Sequence, residues 1–251
     1  SVESSWGDNL PSTSELLGVD RKAWNEQLLA KSRERLTGAK TDPFAIIGDM
    51  ARAIDPDIPD GLIRAAAEAR TARFAAALTD IPAETVAALE ALKAQGKLLG
   101  LVTNADVMEI AAWEQSSIRH LFDSTVVSCR VGLVKPEREI YELALRELGV
   151  SAAEAVFVGD GGSGELQGAR DAGMTAIMMA GIIRELWPDG IETRRGQADF
   201  VIERLSELLD GDREGGNRID YQGGGDLPVG QVLKLYRANG WSSAEKPGSP
   251  M

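Results

Sequence analysis

Val156-Phe157-Val158-Gly159-Asp160-Gly161-Gly162-Ser163-Gly164-Glu165-Leu166 is the stretch on which the reading of this chain turns. An apolar run of strand length ends in Gly-Asp, passes a glycine-rich turn and enters a helix-like segment. Glycines let the backbone turn sharply where a β-branched residue could not. Asp160 and Glu165 are thereby delivered near the carboxyl end of a parallel strand, the edge at which open α/β sheets bind ligands. Hard oxygen ligands there suit Mg²⁺, which takes one or two protein carboxylates together with substrate phosphate and water. The same residues also suit an ordinary strand-to-helix turn, with Asp160 capping the helix and Glu165 in its first turn.

Working outward, two further strand ends carry polar residues. Lys97 to Thr103 is a short buried strand that ends in Thr103-Asn104, a hydroxyl beside an amide. Thr125 to Ser128 is a second strand candidate, and Lys135 follows it at the start of a helix running from Pro136 to Leu148. A third strand spans Thr175 to Met179, and Phe200 to Ile202 is a short edge strand before a last helix, Leu205 to Leu209. Helical patterns lie between them, Pro82 to Gln95 and Val107 to Trp113 among them. This alternation predicts an α/β fold, a parallel sheet covered on both faces. Thr103, Lys135 and the Asp160/Glu165 pair then share one end of successive strands. A hydroxyl, an ammonium and metal-binding carboxylates together can hold a phosphoryl group and neutralise its charge. Taken singly, Thr103 is also a plausible helix cap and Lys135 a solvated lysine beside a turn.

The chain before Asp80 is organised differently. Residues 1–15 are polar and turn-rich and read as irregular. Residues 16–79 read as an all-helical unit: Trp24 and Leu28 share a face, Asp42-Pro43 starts a helix, and Ile63, Ala67, Phe74 and Leu78 repeat at helical spacing. The α/β part is expected over 80–210. Residues 211–225 have linker composition, and 226–251 an amphipathic tail with Val232, Leu235, Tyr236 and Trp241.

Composition bounds the function. A net charge of −12 over 251 residues argues against nucleic acid or an anionic membrane as the main partner. No apolar stretch reaches the ~18 residues of a membrane span. One cysteine, Cys129, allows no internal disulfide and fits the reducing cytoplasm, where it reads as a small core residue. His120, Trp113, Trp187 and the Arg194-Arg195 pair read as surface, core and solvated positions rather than chemistry.

Leu101-Val102-Thr103-Asn104, Val134-Lys135-Pro136-Glu137-Arg138-Glu139-Ile140-Tyr141 and Val158 to Leu166 resemble the second, third and fourth motifs of the haloacid dehalogenase-like hydrolases, in order. The resemblance covers about residues 1–210. It implies a Rossmann-like core with an inserted helical cap, and Mg²⁺-dependent phosphoryl transfer from a small phosphorylated substrate through an aspartyl-phosphate. By the same resemblance Thr103 hydrogen-bonds the phosphoryl group with Asn104 beside it, Lys135 neutralises nucleophile and phosphate, Asp160 binds Mg²⁺ and Glu165 supports the metal shell. The family's first motif, an apolar strand ending in Asp-x-Asp, does not occur. Asp55-Pro56-Asp57 has the letters but sits in a proline loop. That strand would be central in the sheet, so its absence is expected to leave two neighbours unpaired. The chain begins at Ser1, which points to an upstream segment or to a remnant without covalent catalysis. Two alternatives follow, an inactive binding module of the same fold and a metal-free haloacid dehalogenase, the latter disfavoured by the acidic pair. Leu227 to Trp241 more weakly resembles the first helix of GNAT acetyltransferases, which implies a fused second domain at the C-terminus; an amphipathic helix packed on the body or a partner is the other reading.

Overall fold

Five helices make up the chain before Asp80 in the computed structural model, which describes residues 11–186, 188–212 and 231–234. They are α1 (Thr13–Leu17), α2 (Arg21–Ala30), α3 (Ser32–Leu36), α4 (Pro43–Ile54) and α5 (Asp60–Thr79). Local sequence explains their starts. Asp20 accepts the Ala23 amide at 2.9 Å, and Asp42 accepts those of Phe44 and Ala45 with Pro43 in the first turn. Residues 11–15 are not irregular as expected. Ser12 and Glu15 cap α1 reciprocally, the Ser12 amide donating to Glu15 at 2.7 Å, which satisfies amides a short helix otherwise leaves open. Trp24, Ile47, Met50 and Ile63 are fully buried and form a core of their own, joined by Met108 from beyond the first strand.

The second core belongs to a parallel sheet. In chain order come α6 (Ala83–Ala94), β1 (Gly100–Thr103), β2 (Ser124–Val127), α7 (Ser128–Val131), α8 (Arg138–Leu148), β3 (Ala155–Gly159), α9 (Glu165–Asp171), β4 (Thr175–Met179), α10 (Gly181–Leu186), α11 (Ile191–Arg195), β5 (Phe200–Ile202) and β6 (Gln231–Lys234). The order across the sheet is β2-β1-β6-β3-β4-β5, with every pair parallel. Val102, Val126, Phe157, Val158 and Ile177 are fully buried, as a sheet covered on both faces requires. Helix α8 packs against β1 and β2, and α9 against β3 and β4. Tyr141 of α8 meets Phe157 edge-to-face, ring centroids 5.4 Å apart. The fold is α/β, a Rossmann-like core with a helical cap.

Three expectations are corrected. The strands β1 and β3 are not left unpaired, because β6 lies between them, Ala155 to Val158 facing Gln231 to Lys234 and Gly100 facing Leu233. Gln231–Lys234 is therefore strand rather than part of an amphipathic helix. Open backbone groups on two buried strands favour any extended segment that can pair with them. The rest of the 226–251 tail, with its GNAT-like residues, lies outside the described residues, as does Trp187. Val107 to Ala112 forms turns instead of a helix, and Trp113 begins a short 3₁₀ helix that ends at Gln115. The Asp106 carboxylate accepts the Met108 and Glu109 amides, both at 3.0 Å, and so competes with the helical ladder. The last helix, expected from Leu205 to Leu209, is present as a 3₁₀ helix, Leu205–Asp212. Cys129 lies half-buried in α7, and burial pushes its thiol pKa up.

Asp123 ties the starts of β1 and β2 together. Its carboxylate accepts the Leu99 amide and the Lys93 ammonium, at 2.8 and 2.7 Å, and its own amide donates to the Leu99 carbonyl. Burial alone would raise its pKa, but the Lys93 hydrogen bond, the Leu99 amide and the Lys93 charge hold it below the ordinary value of 3.8. A carboxylate depressed in the folded state contributes stability above its unfolded pKa and loses it as pH falls through the folded value. Asp123→Asn is expected to flatten the acid limb of stability below about pH 4. Melting temperatures across that range test it, and an unchanged acid limb counts against it.

Candidate active site

The sheet's carboxyl edge gathers the residues singled out from sequence. Thr103 ends β1, Asp160 follows β3, and Glu165 opens α9; Lys135 stands in the loop that leads from α7 to α8. Thr103, Lys135 and Glu165 are buried, each at most 6% exposed, while Asn104 and Asp160 are half-buried.

Two connections join the three loops. Asn104 and Lys135 bond reciprocally, the Lys135 amide donating to Asn104 Oδ1 at 2.7 Å and Asn104 Nδ2 to the Lys135 carbonyl at 2.9 Å. This holds the β1 loop to the lysine as a backbone pair would. Lys135 Nζ then reaches Glu165 Oε2 at 2.5 Å and lies 5.6 Å from the Phe157 ring centroid. Glu165 Oε1 accepts the Gly161 amide at 3.2 Å. Burial pushes the Glu165 carboxyl above its ordinary range, against the pull of the Lys135 ammonium and with a further push from Asp160. A carboxylate so buried needs its cation close by.

The turn after β3 is made by backbone that side chains rarely adopt. Gly161 and Gly164 have φ of 80° and 68°, and Ser163 sits at φ 55° without a glycine's freedom. Ser163 carries strain of order 1 kcal/mol, which persists where the surroundings fix it. Asp160 Oδ1 accepts the Gly162 amide at 2.6 Å. At Gly159 a Cβ would lie 2.2 Å from Glu165 Oε1, so only glycine lets that carboxylate approach the strand end.

Two residues were not visible in the sequence as parts of this rim. Arg194 of α11 was read as a solvated face, yet its Nη1 donates to the Asp160 carbonyl at 3.1 Å and lies 3.7 Å from Asp160 Oδ1. Its stem covers Gly161, where a Cβ would meet Arg194 Cβ at 2.9 Å. The Tyr141 hydroxyl donates to the Glu165 carbonyl at 2.8 Å, and burial holds its pKa far above the usual phenol value. Arg194 had no local signal, and Tyr141 closed the third motif stretch without a role of its own, since each comes from a helix whose docking decides what it touches.

The donor chemistry fits a hard divalent cation. Asp160 and Glu165 are neighbouring carboxylates, Asp160 is partly open to solvent, and Mg²⁺ needs only one or two such ligands. Among the described residues no group of three or more His, Cys, Asp or Glu could hold a metal by itself, so water and substrate oxygens would complete the shell. No helix among the described residues is long and apolar enough to cross a membrane.

The chain is 35% identical over 127 residues to a glyceraldehyde 3-phosphate phosphatase of Methanothermobacter thermautotrophicus, 49% of this chain and 55% of the relative. It thus spans about half the length of the curated relatives it matches. Among solved structures, a dehalogenase is similar with a TM-score of 0.55 at 21% identity, covering 80% of this chain and 85% of that one. A HAD phosphatase from Thermococcus onnurineus gives 0.51 at 24%, covering 79% and 84%. The family model described as haloacid dehalogenase-like hydrolase matches residues 7–173, which include the cap, both polar strand ends after β1 and β3, and the lysine between them, so this chain belongs to the haloacid dehalogenase-like hydrolases.

Proposed function

We propose that this chain is the phosphoryl-binding body of a Mg²⁺-dependent phosphatase that acts on a small phosphorylated metabolite in the cytoplasm. The observation that carries this reading is the linked rim of Asn104, Lys135 and Glu165, with Thr103 and Asp160 on either side. In it Thr103 and Asn104 bind and orient the phosphoryl oxygens. The Lys135 ammonium offsets their charge, and in a site this dry the offset is larger than it would be in water. Asp160 and Glu165 hold Mg²⁺, which when bound draws negative charge from the transferring group. Arg194 keeps the Asp160 backbone in place.

No Asp-x-Asp strand stands at this rim among the described residues, and β6 ends in Leu233-Lys234 at the level of Phe157-Val158. That observation favours a second reading, a binding module of the same fold without covalent catalysis. The decisive experiment takes the whole gene product from which this sequence comes. Phosphate release from a panel of small phosphate esters is expected with Mg²⁺ and expected to stop with EDTA. Inactivity across the panel, despite a nucleophile strand in that product, would support the binding module instead.

A further inference from the structure

Four charged side chains are buried where the cap meets the rim, and the reading above leaves them unused. Arg35 of α3 and Arg70 of α5 face Asp106 and Glu109, which lie on the loop that begins with Thr103-Asn104. None is more than 8% exposed. Arg35 Nη1 is 3.0 Å from Asp106 Oδ2 and 3.6 Å from Glu109 Oε1; Arg70 Nη2 is 2.8 Å from Glu109 Oε1 and 3.9 Å from Asp106 Oδ2. The carboxylates also shape their own loop. Asp106 Oδ1 accepts the amides of Met108 and Glu109, and Glu109 Oε2 accepts that of Asp106 at 2.9 Å.

Stability alone is a poor account of such a cluster. Taking four ions out of water costs several kcal/mol each, and apolar side chains of similar volume commonly serve folding as well or better. What the cluster supplies is geometry: two cap helices hold two carboxylates, and those carboxylates hold the backbone three to six residues past Thr103. Other contacts bring the same cap segment to the neighbouring loop. Arg33 of α3 reaches Glu137 at 2.6 Å, two residues past Lys135, and Gly38 lies against the Cys129 carbonyl.

We propose that Arg35, Arg70, Asp106 and Glu109 are positioning residues that set the Thr103-Asn104 loop by anchoring it to the cap. This rests on the phosphoryl-binding reading of that loop. The test compares the parent chain with Arg70→Met, Arg70→Lys and the apolar pair Arg70→Met/Glu109→Leu. Urea unfolding is expected to place the apolar pair near the parent in stability. Its affinity for inorganic phosphate with Mg²⁺, read by calorimetry, is nevertheless expected to fall about tenfold. Amide exchange at Met108 and position 109 is expected to quicken by about the same factor, with β3 amides unchanged. Arg70→Lys should restore part of both. An apolar pair that binds phosphate and protects those amides like the parent would overturn the proposal. If the parent itself binds no phosphate, the functional reading fails, and exchange at position 109 and Met108 still decides whether the cluster positions the loop.

Discussion

Methionine at Lys135 will lower folding stability by about 3–5 kcal/mol, the cost of leaving a buried charge without its partner. The Glu165 carboxylate is almost wholly buried, and its side chain accepts only the Lys135 ammonium and one backbone amide in the hydrogen bonds described. Methionine fills a similar volume, so lost packing contributes little beside Phe157. The companion variant Lys135→Met/Glu165→Gln should recover most of the loss, because an amide is neutral at every pH whereas the buried carboxyl must first take up a proton. Equilibrium urea unfolding measures both. A single variant within about 1 kcal/mol of the parent would show that the pair is not desolvated as the geometry says. In the whole gene product the same substitution should cut phosphate-ester turnover by about a hundredfold or more, as loss of a charge aimed at the transferring group does.

Alanine at Gly38 is expected to cost about 2–4 kcal/mol, from overpacking together with a left-handed backbone. Gly38 follows α3 at φ 73°, and a Cβ there would stand 2.1 Å from the Cys129 carbonyl oxygen. That oxygen is backbone, so it cannot swing aside as the end of a long side chain can. The cap segment would have to lift from α7 and carry Arg33 and Arg35 with it. Thermal unfolding gives the size of the effect, and proteolysis between α3 and α4 should quicken in parallel. Alanine at Gly18, also left-handed but with nothing within 4 Å, serves as the control for backbone cost alone. Equal losses at the two glycines would mean that the close approach to Cys129 does not matter.

Much of the core was legible because local rules sufficed there. Apolar runs bounded by Gly and polar residues marked β1 to β5, and Asp42-Pro43 marked α4, since capping and periodicity act within a few residues. Val107 to Trp113 misled for an equally physical reason. Its apolar spacing is helical, but Asp106 and Glu109 take backbone amides and are themselves held by arginines about 70 and 40 residues away. Arg194 was misread because a surface-like helix becomes part of the rim only once it docks on Gly161. The β6 segment read as an amphipathic helix, and pairing with two buried strands overrode that pattern.

By itself, then, the amino-acid order determined the parallel α/β alternation, the helical unit ahead of it, and which polar residues end each strand, because strand and helix periods and glycine turns are short-range properties. Tertiary structure alone decided that Lys135 pairs with Glu165, that Arg194 lies on Asp160, and that two cap arginines grip the loop behind Thr103. Those partners are separated by 30 to 71 residues, and a charge chooses its partner by which groups packing leaves beside it away from water.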